Sequence, residues 1–141
     1  MNPSFALLAP MFALAAWTGV VLLLVAYRRV RAGVTGEVHP REFALGETSR
    51  VPVRVALANR NYMNLLELPV LFYVGCLVGI VTGAATPAVQ ALAWTYVALR
   101  IVHSIVHVTY NRIIHRFTVF ALSNAVLIAL WALVGLHAFR A

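Results

Sequence analysis

The sequence contains no aspartate and no lysine, and charged residues make up only 11% of it. A soluble domain carries about 25% charged residues, so this scarcity excludes an ordinary water-facing surface. Cysteine is almost missing as well. Cys76 is the only one, so no intrachain disulfide can form, and a lone thiol in an apolar run behaves as an inert small hydrophobe. Acid is scarce: four glutamates stand against eleven arginines, for a formal net charge of +7 and a pI near 10.8. Such a balance can signal nucleic-acid binding. Here the arginines flank apolar segments and form no basic domain, which excludes that partner and fits membrane-topology and anionic-lipid roles instead.

What is abundant is hydrocarbon. Hydrophobic residues account for 62% of the 141 residues, and mean hydropathy is +0.88. Runs of about 20 apolar residues cross a bilayer, and most of the chain consists of such runs. The expected architecture is all-α, an integral membrane four-helix bundle forming a single domain over residues 1–141, with helices at about 5–27, 56–81, 88–111 and 117–139. The first run carries its charges after the apolar stretch and has no positive segment before it, so it reads as a retained helix and not a signal peptide. Pro69 interrupts the second run, as membrane helices tolerate. The connection from about Arg28 to Val55 is polar, the turn Thr82–Pro87 carries no charge, and a short basic stretch, Arg112–Arg116, precedes the last helix. Arginines concentrate in the first and third connections. The positive-inside rule therefore places both in the cytoplasm and both termini outside, as in a multi-pass protein of a bacterial inner membrane.

Polar residues inside the runs form two stripes. Arg60, Asn64 and Glu67 are spaced i, i+4, i+7 and share one helix face. Arg100, His103, His107 and Asn111 do the same on the third segment. Ionisable groups in lipid cost about 2.5–3.5 kcal/mol each and normally face a protein interior or a cavity. At a rise of about 1.5 Å per residue, Glu67 lies roughly 10 Å deeper than Arg60. His107, His103 and Arg100 lie roughly 8, 14 and 18 Å in from Arg112. A deep layer is thus expected from Glu67, Arg100 and His103, with Glu67 and Arg100 as a structural ion pair. A shallower basic pocket is expected from Arg60, Asn64, His107, Arg112 and Arg116. The His103–His107 pair with Glu67 also has metal-ligand spacing, but the surrounding arginines oppose a cation, and no metal is expected. A basic, partly hydrated pocket suits an anion.

The Arg60-x-x-x-Asn64-x-x-Glu67 pattern resembles the signature of the MAPEG family (membrane-associated proteins in eicosanoid and glutathione metabolism). The third segment is similar to the same family, whose pattern there is an arginine, often a histidine three on, and a tyrosine four further. Arg100, His103 and His107 stand at those positions, and Arg116 at the later arginine. The resemblance implies a homotrimer binding glutathione as co-substrate between subunits near the cytoplasmic face. It also implies a transferase or peroxidase acting on a lipophilic small molecule from the surrounding lipid. By position, Arg60, Asn64, Glu67, His103, His107 and Arg112 would contact glutathione or hold its contacts, Arg100 would brace Glu67, and Arg116 would be the catalytic, thiolate-stabilising residue.

The sequence also departs from the pattern. The family's tyrosine is His107, Met63 replaces a basic residue present in several members, and Phe117 and Phe120 stand where some members carry hydroxyls. A non-enzymatic member binding lipid or another anion is the alternative, with a metal or haem bundle behind it.

Overall fold

The computed structural model describes residues 5–44, 46 and 48–140. Five α-helices follow in order: α1 Leu8–Val34, α2 Val53–Leu66, α3 Pro69–Val81, α4 Pro87–Val108 and α5 Ile113–Ala138. Counting α2 and α3 as one kinked span, four helices among the described residues are long and apolar enough to cross a membrane. The molecule is an all-helical, integral membrane four-helix bundle.

Helix limits differ from the sequence expectation for identifiable reasons. α1 continues through Arg28, Arg29 and Arg31 to Val34, because arginine is a good helix former and its long stem lets the charge leave the apolar zone. Arg28 then ties three elements together, donating to the carbonyls of Arg54 at 2.7 Å and Val108 at 3.3 Å. The second span is two helices. Pro69 has no N–H, and its ring crowds the carbonyl four residues back, so α2 stops at Leu66 and α3 restarts on Pro69. Glu67 lies at that break. Thr86 caps α4, its hydroxyl accepting the Val89 N–H at 3.3 Å, with Pro87 in the first turn.

α4 ends at Val108 and not at Asn111. Asn111 takes φ 45°, a left-handed conformation that asparagine tolerates better than most residues, and its N–H donates to the Val106 carbonyl at 2.9 Å. With α4 closed early, α5 begins at Ile113. Arg116 therefore sits on a helix and not in the expected loop, its N–H bonded to the Arg112 carbonyl at 3.0 Å.

α5 packs most extensively on α4, α1 on α2, and α2 on α4. The main core joins Leu14 and Val21 of α1, Leu65 and Phe72 of the kinked span, Tyr96 of α4, and Leu127 and Leu130 of α5. The Phe72 and Tyr96 rings stack at 4.7 Å. At Gly75 a Cβ would crowd Leu130 Cδ2 at 3.0 Å and the Trp131 ring at 3.2 Å, so any larger residue would push those side chains aside. The absence of a Cβ lets α3 lie against α5. A smaller cluster of Ala32, Val38, Val51 and Val55 holds the first connection to the bundle end. That connection is also pinned by ion pairs from Arg54 to Glu37 and, at 3.2 Å, from Arg50 to Glu42. Large apolar side chains such as Phe12, Leu23, Val30 and Ile128 point outward, as a hydrocarbon solvent allows.

Candidate functional site

At the end of the bundle where α1 gives way to the polar connection, α2, α4 and α5 surround an open cavity of about 470 Å³. From α2 it is lined by Arg60, Met63, Asn64 and the Glu67 that follows, from α4 by His103 and His107, and from α5 by Ile113, Arg116, Phe117 and Phe120. Helical repeat on α2 and α4 presents each polar stripe to the same space. The early start of α5 turns Arg116, Phe117 and Phe120 toward it from the third side.

Of the seven sequence-derived ligand or catalytic candidates, six share this wall: Arg60, Asn64, Glu67, His103, His107 and Arg116. Arg112 does not. It is exposed at the residue preceding α5 and is not among the lining residues. The expected division by depth is also corrected. Glu67 and His103 line the same cavity as Arg60 and His107, because the three helices leave one continuous space between them. Only Arg100 is sealed off, at 0% exposure.

The expected Glu67–Arg100 ion pair is not formed. Arg100 donates through one nitrogen to the Asn64 backbone carbonyl at 2.7 Å and to the Asn64 side-chain oxygen at 2.5 Å. Its guanidinium carbon also lies 5.7 Å from the Phe120 ring centroid, within cation–π range. The break before Pro69 accounts for the difference, since it leaves Glu67 past the end of α2 and exposed. Asn64, one turn earlier, stays facing α4. With its oxygen occupied, Asn64 has only its amide N–H groups to offer the cavity.

Two further contacts fix the walls. Ser104 donates to the Asn61 side-chain oxygen at 3.0 Å, a fully buried bond between α4 and α2. Asn111, just past α4, accepts from Arg116 at 2.8 Å. The His103 and His107 rings meet edge to face at 5.7 Å. His107 is only 6% exposed, yet neither of its ring nitrogens has a hydrogen-bond partner, nor does His103 Nδ1. Buried polar groups are ordinarily satisfied, so these orphaned nitrogens leave the α4 wall of the cavity with unused hydrogen-bonding capacity.

Sequence reasoning set Phe117 and Phe120 beside the pocket, and both line it, but it did not place Ile113 as a lining residue, nor Asn61, Ser104 or Asn111 as supports. Asn111 carried a usable signal: an asparagine directly after a helical run is a common helix terminator. Ser104 and Asn61 carried none, being ordinary small polar residues until the helices are packed.

The cavity holds two guanidinium groups against one carboxylate, two imidazoles and an amide, with apolar surface from Met63, Ile113, Phe117 and Phe120. Among the described residues no three His, Cys, Asp or Glu side chains are grouped as metal ligands. Searches among curated proteins and among solved structures return no match. The MAPEG family model matches residues 7–136, a span running from the foot of α1 almost to the end of α5. The arginine, asparagine, glutamate and histidines of this cavity all fall inside it, and the chain belongs to the MAPEG family.

Proposed function

We propose that the protein is a glutathione-dependent membrane transferase or peroxidase acting on lipophilic electrophiles. The observation that carries this reading is the gathering of Arg60, Asn64, Glu67, His103, His107 and Arg116 around one cavity. Glutathione bears two carboxylates and one ammonium. Arg60 and the Asn64 amide are suited to a carboxylate, Glu67 to the ammonium, and the unpartnered imidazole nitrogens to the peptide carbonyls or second carboxylate. Arg116 is left for the sulfur. A free thiol has a pKa of about 8.5, and an adjacent guanidinium lowers it, raising the thiolate fraction at neutral pH. Glutathione supplies the sulfur nucleophile, which forms a carbon–sulfur bond as a leaving group departs or an activated double bond takes up the electron pair, or attacks the terminal oxygen of a lipid hydroperoxide, breaking the O–O bond to give the alcohol and a sulfenic acid that a second glutathione converts to the disulfide and water. The chain's own residues bind it, orient it and stabilise its charge.

The second substrate would come from the bilayer. A further cavity of about 530 Å³, lined by Leu68, Leu71, Asn124, Leu127, Ile128 and Trp131, opens beside the α2–α3 break. Phe120 of the first cavity and Asn124 of the second are one helical turn apart, so an apolar chain lodged in the second would bring its reactive end toward the first. Phe117 and Phe120 line the polar cavity without closing it, which favours the enzymatic reading over a purely structural member of the family. The same reading includes a homotrimer with glutathione bound between subunits. It also includes a bacterial inner membrane with both termini outside and the arginine-rich end in the cytoplasm.

The test is titration of detergent-purified protein with glutathione, following thiolate absorbance and thermal stabilisation, with Arg116→Ala alongside. Wild type is expected to gain both signals, whereas the variant should retain stabilisation within a few-fold of the same concentration and lose the thiolate. No stabilisation at millimolar glutathione would sink the proposal.

A further inference from the structure

We infer that Asn111 is the positioning residue for Arg116, the clamp that holds its guanidinium at the cavity. The inference rests on the glutathione reading for its chemical meaning, but its structural content stands on separate observations. Arg116 is half-buried on the first turn of α5. Its side chain is long enough to leave the cavity for the aqueous interface, where an arginine is well solvated. What holds it is a 2.8 Å hydrogen bond from its Nη1 to Asn111 Oδ1; among the described residues Arg116 is in no ion pair. An amide oxygen suits this task better than a carboxylate would, because it orients the guanidinium and leaves its positive charge uncancelled.

Asn111 can do this because of its backbone. At φ 45° it is the only non-glycine among the described residues with a positive φ. Its N–H reaches back to the Val106 carbonyl, which reverses the chain at the end of α4. That reversal carries the side chain round to meet the first turn of α5. Glycine would serve the turn at least as well, whereas only a residue with a short polar side chain both adopts this conformation and offers an acceptor. The choice of asparagine over glycine is thus explained by the bond to Arg116.

The same space is faced by Arg60 and Glu67 from the α2 side and by His103 and His107 from α4. None of these changes when Asn111 does, so the substitution isolates the Arg116 contribution.

The experiment compares wild type with Asn111→Gly, which keeps the turn and deletes the acceptor, and with Asn111→Asp, which keeps both turn and acceptor. The first readout needs no glutathione: the rate at which an arginine-selective dicarbonyl reagent modifies Arg116, followed by peptide mass. Asn111→Gly is expected to raise that rate several-fold, and Asn111→Asp to restore or lower it. The second readout is the pH midpoint of thiolate formation on bound glutathione, expected to rise by about one unit in Asn111→Gly with glutathione affinity changed less than three-fold. A merely structural role for Asn111 would move thermal stability but neither readout. An unchanged Arg116 modification rate in Asn111→Gly overturns the inference, as does an unchanged thiolate midpoint. Wild-type protein that shows the reactivity difference but forms no thiolate overturns the glutathione reading alone and leaves the clamp supported.

Discussion

Arg100 is the largest fully buried side chain among the described residues. Its bonds go to Asn64, a neutral residue, while its Nε and second terminal nitrogen have no partner. A buried cation is expensive unless its donors are used, so the Asn64 side chain is worth more here than its chemistry suggests. Hydrogen bonds to charged groups contribute about 1.5–3 kcal/mol. Asn64→Ala is expected to lower stability by about that amount, and Arg100→Leu to lessen the loss when the two are combined. Thermal unfolding in detergent of the two single variants and the double variant should return a coupling of about 0.5–3 kcal/mol. The cycle of Glu67→Gln with Arg100→Leu should be additive to within about 0.5 kcal/mol. Strong coupling in the Glu67 cycle and none in the Asn64 cycle would refute the pairing described above.

Among the elements, the connection between α1 and α2 is where charge does structural work outside the membrane-spanning segments. The hydrogen bond from Arg54, with a second from Thr35, holds the Glu37 carboxyl below its ordinary value of 4.5. Thr48 does the same for Glu42, with Arg50 adding to it. Both carboxyls titrate lower in the folded loop than in an unfolded chain. Their contribution is therefore complete above the ordinary value of 4.5 and is lost as pH falls through the lowered one. Amide protection factors across Thr35–Pro52 are expected to be constant near neutral pH and to fall only on the acid side of 4.5. Arg54→Ala should reduce protection near Glu37 already at neutral pH. Because Arg50, Arg54 and Glu37 are solvent-exposed and Glu42 is only partly covered, the effect belongs to the loop and leaves the unfolding temperature of the bundle nearly unchanged.

For the molecule as a whole, the arginine distribution supports the proposed orientation. Arg41, Arg50, Arg54 and Arg112 lie in or beside the first and third connections, whereas the turn between α3 and α4 has no charge. In a Cys76→Ala background, Thr82→Cys is expected to react with a membrane-impermeant maleimide on intact cells, and Ser49→Cys only after permeabilisation. The opposite pattern would invert the topology and move the cavity to the outer face.

The sequence by itself determined the class of the molecule and the faces that meet inside it. Length and hydropathy of the apolar runs decide membrane insertion without tertiary help, and helical spacing decides that Arg60, Asn64 and Glu67 share a side, as do His103 and His107. These properties are local, one helix at a time. The tertiary structure decided what depends on breaks and on neighbours. The break before Pro69 exposes Glu67 and leaves Arg100 to Asn64. The left-handed turn at Asn111 sets where α5 begins, and so brings Arg116 to the cavity while leaving Arg112 outside it. A rotation or shift of one residue at such a junction redirects every side chain beyond it, and which junction conformation wins is settled by packing between helices distant in the chain.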